Sequence, residues 1–212
     1  FVFAAFGAVV VWTLADLAGG EAVSIGLGAA VVAAPALFAG MTLKIQRRSK
    51  RVRFDANQHG WRVGMLCGLA ACAVWGAARI VPAFGEWPGW PLLCGVLLMV
   101  GGFMSVITGM LYKIVPFLVW LHLQNQGQGR VMAPNMKKII GERAMDRQML
   151  AHFAACLLLV AAVLWPAWFV YPAGLALVVA NGWLLRNLLS AVAIYRSHQI
   201  KIGRVTTTPV SE

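Results

Sequence analysis

The sequence has few charged residues, and the acidic ones are the scarcest. Only 12% of the 212 residues are charged, and Asp and Glu together number 7. A water-soluble domain carries about 25% charged residues, so this chain has too little polar material to cover a globule. With 60% hydrophobic residues and a mean hydropathy of +0.76, the composition excludes a soluble domain and predicts a membrane protein.

The sequence also lacks the short motifs that mark common catalytic and cofactor sites. It has no HExxH, GxSxG, CxxC, CxxCH or HxH, and Gly127-Gln128-Gly129 lacks the spacing of a nucleotide-binding loop. Neither a disulfide framework nor covalent haem attachment is therefore expected. The cysteines lie in apolar runs and are expected to pack as small side chains: Cys67, Cys72, Cys94 and Cys156. Whether the chain is an enzyme stays open.

Long apolar runs are what the sequence does contain. Because a spanning helix needs about 20 mostly apolar residues, we predict an all-α polytopic transmembrane helical bundle, a single domain over residues 1–212 with about six helices. Pro116 is expected to kink the fourth helix, and Gly64 and Gly68 predict close helix approach. Phe1 already lies in an apolar run, so we expect the chain to begin partway through a longer protein. The helices are predicted at 1–18, 22–43, 62–82, 91–123, 148–169 and 172–195.

Basic residues are confined to alternate connections. Every Lys and Arg except Arg79 lies in residues 44–62, in residues 113–147 or in the tail from 186 onward. The positive-inside rule therefore predicts that these segments and both chain ends are cytoplasmic. The net charge of +11 is thus assigned to contact with membrane lipid and not to nucleic acid. Aromatic residues are predicted to form a belt at the opposite side: Trp87, Trp90, Trp165, Trp168 and Tyr171.

Ionisable and polar residues within the apolar runs are functional candidates, because burying them in a membrane costs energy. His122 ends the fourth run, and His152 lies about one turn into the fifth. Two imidazoles facing each other across neighbouring helices could bind a haem iron or contribute to a copper site; hydrogen-bonded histidines are the alternative. Lys113 and Arg186 are close enough to helix ends to reach water. Asn181, Arg186 and Asn187 make the last helix polar along part of its length and could bond to neighbouring helices or line a polar path.

The segment from Gly109 to Gln124, GMLYKIVPFLVWLHLQ, resembles the C-terminal half of bacterial membrane proteins related to haem-copper oxidase subunit I and to the NnrS family. The similarity extends over about residues 41–160. It implies that these are the last six helices of a parent with about twelve, in the bacterial inner membrane and in a haem or copper redox context. The chain lacks the HxH pair and most of the histidines of an oxidase, so oxygen reduction by this chain alone is not implied.

Three functions are compatible with the sequence. The first is a respiratory or redox-associated inner-membrane protein that binds haem, with copper as the alternative, or that attaches to an electron-transfer complex. The second is a cofactor-free assembly or structural subunit. The third is a small-molecule permease with a path near Asn181 and Arg186. Expected partners are membrane lipid and other membrane subunits, or the remaining helices of a longer chain.

Overall fold

The computed structural model describes residues 2–18, 21–48, 55–127, 132 and 134–207, and it contains helices and no strands over them. The predicted all-α helical bundle is confirmed. The predictions for Phe1 and for the basic residues of 49–54 and 128–131 lie outside the described residues. The helices are α1 Val2–Leu17, α2 Glu21–Arg47, α3 Ala56–Ile80, α4 Pro82–Gly85, α5 Trp90–Gly127, α6 Met136–Ile139, α7 Glu142–Leu164 and α8 Pro166–Thr207.

Five of the described helices are long and apolar enough to cross a membrane: α2, α3, α5, α7 and α8. The chain is therefore a multi-pass membrane protein. The first predicted stretch forms α1, which is 16 residues long as described and packs on α2. Trp12 of α1 also meets Trp75 of α3 edge to face, with 6.3 Å between the ring centroids.

The helix ends differ most from the predicted ones at the junction of α7 and α8. A boundary at residues 169–172 was predicted, but α7 ends at Leu164 and α8 begins at Pro166. Trp165 has φ −132° and ψ 72°, because a proline disfavours helical geometry in the residue before it. Pro166 then takes the first helical position, where no N–H is needed.

Helix α8 continues far beyond the predicted end at residue 195. It has 42 residues, which corresponds to about 63 Å at 1.5 Å per residue. A bilayer core is only about 30 Å thick. The last turns of α8, at the end that carries the basic loops, therefore extend past the apolar layer.

The fourth apolar run forms the single helix α5, which is not α-helical along its whole length. The kink predicted at Pro116 stays a prediction. Val96–Met104 is π-helical, whereas Ser105–Gly127 is α-helical with Pro116 inside it. Pro116 does not end the helix. Such π segments are rare and are frequently found at functional sites. Val96–Met104 is therefore a candidate functional part of α5.

Close glycine contacts hold α3 against α5. A Cβ on Gly60 would lie 2.5 Å from the carbonyl oxygen of Ser105, and one on Gly64 would lie 2.6 Å from Cγ2 of Val106. The predicted partner Gly68 meets nothing within 4 Å, so Gly60 takes its place in the pair. This crossing sets Ser105 and the π-helical segment in the middle of the bundle.

Helices α5, α7 and α8 form the centre of the candidate site. Asn187 of α8 bonds to Tyr112 of α5, and further along both helices Gln199 bonds to Gln126, so α5 and α8 run parallel. Helix α7 runs in the opposite direction: its residue Ala144 meets Asn187, and its later residue Gln148 meets the earlier Ala180. Each helix thus presents one face to the same interior space.

Candidate functional site

The described chain buries a set of polar side chains between α5, α7 and α8. On α5 their spacing of three and four residues puts them on one face, and the same holds for the two on α7. Every one of them is at most 6% exposed. We call this set the polar track: Ser105, Thr108, Tyr112, Gln148, His152 and Asn187.

Tyr112 is the junction of the first half of the polar track. Its hydroxyl donates to Oε1 of Gln148 at 3.0 Å and accepts from Nδ2 of Asn187 at 2.9 Å. The amide of Gln148 donates onward to the carbonyl of Ala180 at 3.1 Å. One residue from each of the three helices therefore takes part in a single hydrogen-bonded cluster. Such bonds between membrane helices are worth about 0.6 kcal/mol each on average, so the cluster contributes modestly to stability.

The second half of the polar track ends at His152, which is 1% exposed. Its Nε2 lies 3.0 Å from Oγ of Ser105, and that hydroxyl also lies 3.4 Å from the carbonyl oxygen of Val100, inside the π-helical segment. Thr108 is buried between the two halves, one turn from Ser105 and one from Tyr112. His152 is the one buried histidine among the described residues. A buried ionisable side chain at membrane depth is typical of proton relays.

A polar cavity of about 480 Å³ opens at the basic-loop end of the track. Its walls carry Lys113 and the carboxylates of Asp55, Glu142 and Asp146, together with the side chain of Tyr112. Tyr112 therefore belongs to the cavity wall and to the track at the same time. Since Ser105 lies seven residues from Tyr112, the track leads about 10 Å from the cavity toward the middle of the bundle.

The structure does not bring the two predicted ligand histidines together. His122 is exposed, near the far end of α5, where its ring meets Tyr195 edge to face at 6.0 Å. His152 lies beside Ser105, which is 17 residues from His122 along the same helix, or roughly 25 Å. One iron or copper ion cannot be held by both rings. The ring of His152 is also 1% exposed and its Nε2 already lies 3.0 Å from Oγ of Ser105, so the close packing around this histidine does not fit a haem.

We expect the purified chain to show no bis-histidine haem spectrum. The reason is the separation of His122 and His152, and the measurement is a reduced-minus-oxidised difference spectrum with a metal analysis. The single variants His122→Ala and His152→Ala serve as comparisons. A Soret band that is lost in both variants would show that the two rings share one iron, contrary to this expectation.

Of the three other predicted polar residues, only Lys113 lines the cavity. Asn181 donates to the carbonyl of Leu177 in its own helix at 2.8 Å, and Arg186 is exposed. Neither of them lines the cavity. Asn187, the third polar residue of this stretch, is 6% exposed and bonds to Tyr112. The permease path predicted near Asn181 and Arg186 stays a prediction.

Sequence reasoning missed most of the polar track. It selected His152 and Asn187 but treated the polar residues of α5 and Gln148 as ordinary parts of apolar helices. The signal that could have found them is their spacing: Ser105, Thr108 and Tyr112 repeat at three and four residues, as do Gln148 and His152 at four. Polar residues that share one face of an apolar helix must face protein or water rather than lipid.

The fold and the site define a class: a polytopic α-helical membrane protein with a buried polar track that leads from one end to the centre of its bundle. A more particular assignment does not come from comparison. Known family models, curated proteins and solved structures contain no match to this chain. The function must therefore be argued from the site itself.

Proposed function

We propose that this chain is the proton-uptake element of a redox membrane protein, in which the polar track carries protons from the cytoplasmic cavity to His152. The observation that carries the proposal is the set of buried polar side chains from Tyr112 to His152, in which the buried Thr108 lies between two hydrogen-bonded groups. A purely structural helix interface in a membrane needs small residues and a few polar contacts. It does not need a buried imidazole at the end of a polar stripe.

The outer half of the bundle is closed, which favours uptake to the centre rather than conduction across the membrane. Beyond the level of His152, the interior between α3, α5 and α7 is an apolar cluster around Ala71, Leu93 and Leu97. Protons that reach His152 would therefore have to be consumed there by a chemical step. Redox reactions consume or release protons in this way, and this links the track to an electron-transfer setting.

The setting is proposed from the family resemblance of Gly109–Gln124, which implies the respiratory chain of a bacterial inner membrane with the chain ends in the cytoplasm. A haem or copper ion would supply one-electron chemistry there. Among the predicted ligands, only the exposed ring of His122 is open to such a group, and its other ligands would come from another subunit or from further helices. No step of the proposal depends on that group.

The proposal is tested by solvent exchange at the His152 ring in the full chain reconstituted into lipid nanodiscs. The four histidines of the chain allow ¹⁵N-histidine labelling with assignment by substitution. We expect the His152 ring N–H to exchange with solvent although the ring is buried. Tyr112→Phe removes the hydroxyl that joins Gln148 to Asn187 and is expected to slow the exchange about tenfold, as for the loss of one proton-transfer step.

The matched control is Tyr171→Phe, since Tyr171 is 85% exposed on α8 and lies outside the track. It should leave the exchange unchanged. A merely structural role for Tyr112 predicts the opposite direction, because a loosened bundle admits water more readily and exchange becomes faster. Faster exchange in Tyr112→Phe would therefore overturn the proposal.

A small-molecule permease is the second candidate, and the 480 Å³ cavity with its charged walls favours it. Cavities of 300–1,000 Å³ are of the size that takes small ligands. A permease must open a route past the cluster of Ala71, Leu93 and Leu97. Uptake of a charged solute into proteoliposomes that contain only this chain would favour the permease over proton uptake.

A further inference from the structure

Helix α5 extends beyond two of the helices that pack against it. The first residues of α3 and α7 line the same cavity as Lys113 and Pro116 of α5, so both helices begin at that level. Helix α5 continues to Gly127, which is about 16 Å further at 1.5 Å per residue. Helix α8 accompanies it there, as the hydrogen bond between Gln126 and Gln199 shows.

The cavity level also marks the edge of the apolar layer of the membrane. Asp55 caps α3, Lys113 lies on α5, and Glu142 and Asp146 lie in the first turns of α7. A charged side chain at membrane depth is costly, so the bilayer core ends at about this level. The part of α5 that follows Pro116 therefore lies outside the lipid tails.

An exposed apolar stripe follows α5 across this boundary. Its residues alternate in steps of three and four, the spacing with which one helix packs along another in a coiled coil. Each is at least 36% exposed, and we call them the α5 seam: Ile107, Met110, Ile114, Phe117 and Leu121. Lipid can cover the first part of the seam. Phe117 and Leu121 lie beyond the boundary, and exposed apolar patches there indicate contact with another protein.

The α5 seam has the residue pattern of a parallel two-stranded coiled coil. Ile107, Ile114 and Leu121 occupy its a positions, and β-branched residues at these positions favour two strands. The d position after Phe117 is Gln124, which is also exposed. A glutamine amide can both donate to and accept from the same amide of an identical helix. A polar residue of this kind in an apolar seam fixes the register.

A second copy of this chain fits the seam for two reasons. Copies in one bilayer share orientation and depth, so their α5 helices are parallel and their seams lie at the same height. Charges beside a coiled-coil seam normally select its partner. From Ile114 to Gly127 the helix has no Lys, Arg, Asp or Glu. Nothing there selects an oppositely charged partner, and two copies meet without the repulsion expected elsewhere from a net charge of +11.

We propose that the chain forms a parallel homodimer in the membrane through the α5 seam, with the two-fold axis along the membrane normal. In such an isologous contact each seam residue packs on the same residue of the other copy. Ser105, Thr108 and Tyr112 of the polar track lie on a different face of α5. The dimer is therefore compatible with proton uptake and does not depend on it.

Cross-linking in liposomes tests the geometry of the contact in the full chain. We expect Leu121→Cys to give a covalent dimer with bismaleimidoethane, because the two substituted positions face each other across the axis. Gln126→Cys is the matched control, since Gln126 is exposed at the same end of α5 but bonds to Gln199 of α8. The unsubstituted chain measures the background from the native cysteines, which are all at least partly buried.

The stoichiometry is measured by stepwise photobleaching of singly labelled chains at high dilution in lipid. We expect two steps for the unsubstituted chain. Leu121→Lys places like charges at the axis and should weaken association at least about tenfold. Gln126→Lys adds the same charge on the other face and should leave association unchanged. Circular dichroism checks that both variants remain folded.

Every other outcome overturns the homodimer. Single-step bleaching of the unsubstituted chain would show a monomer, and three or more steps would exclude a two-stranded seam. Equal cross-linking of Leu121→Cys and Gln126→Cys, or equal association of Leu121→Lys and the unsubstituted chain, would place the contact elsewhere. Quenching by brominated lipid of a bimane attached to Leu121→Cys would show that lipid covers the seam.

Discussion

Replacing Gly60 by alanine is expected to destabilise the bundle more than the same substitution at any other glycine of α3. The new Cβ would lie 2.5 Å from the carbonyl oxygen of Ser105, 3.2 Å from Cε of Met149 and 3.3 Å from Cα of Gly109. Two of these three neighbours are backbone atoms of α5, so α3 and α5 must separate. Overpacking of this kind costs about 1–3 kcal/mol, and Gly60→Leu should prevent stable folding altogether.

Gly68→Ala is the matched control, because a Cβ at Gly68 meets nothing within 4 Å. Both substitutions gain about the same helix propensity, up to about 1 kcal/mol, so the difference between them measures the contact alone. Thermal unfolding in nanodiscs, followed by circular dichroism, gives that difference. Equal stabilities for the two variants would contradict the close crossing of α3 and α5.

A substitution at Gly60 is expected to affect function as well as folding. Ser105, whose carbonyl oxygen meets Gly60, holds His152 through its hydroxyl. A shift of α5 away from α3 would move this hydroxyl. We therefore expect Gly60→Ala to alter exchange at His152, even in preparations that remain folded.

The composition and the length of the apolar runs were enough to predict a membrane protein with an all-helical fold. The reason is that few structures other than helices with few charges can cross a bilayer core. The helix junction at Trp165 and Pro166 could also have been found from local rules, since a proline both ends one helix and begins the next. The predicted boundary lay too far along the chain because the aromatic residues around Trp165 were assigned to the belt at the helix ends.

The candidate site was harder to predict, because it depends on which faces of the helices meet. The length and hydropathy of a helix do not show whether Ser105 faces lipid or protein. The π-helical hydrogen bonds of Val96–Met104 likewise have no simple sequence signature. The pairing of His122 with His152 failed for the same reason. His122 and His152 lie on either side of one loop in the sequence. However, α5 continues well past the level in the bundle at which α7 begins to pack against it.

Replacing His152 by glutamine is expected to separate the chemical role of the imidazole from its structural one. The glutamine amide can reach Ser105 as Nε2 of the imidazole does, 3.0 Å away, so the fold should be kept within about 1 kcal/mol. An amide cannot take up a proton at the end of the polar track, however. Solvent exchange of the side-chain N–H at position 152 in this variant should therefore be about 100-fold slower, or more, than that of the imidazole N–H.

His198→Gln serves as the control, because His198 lies in the far part of α8, where its Nδ1 is 3.0 Å from the carbonyl oxygen of Ile194. This variant should leave solvent exchange at the His152 ring unchanged. Equally fast exchange at position 152 in His152→Gln would mean that water reaches this position without a proton carried along the polar track. The polar track would then be a hydrogen-bonded helix interface, and proton uptake would need another acceptor at the centre of the bundle.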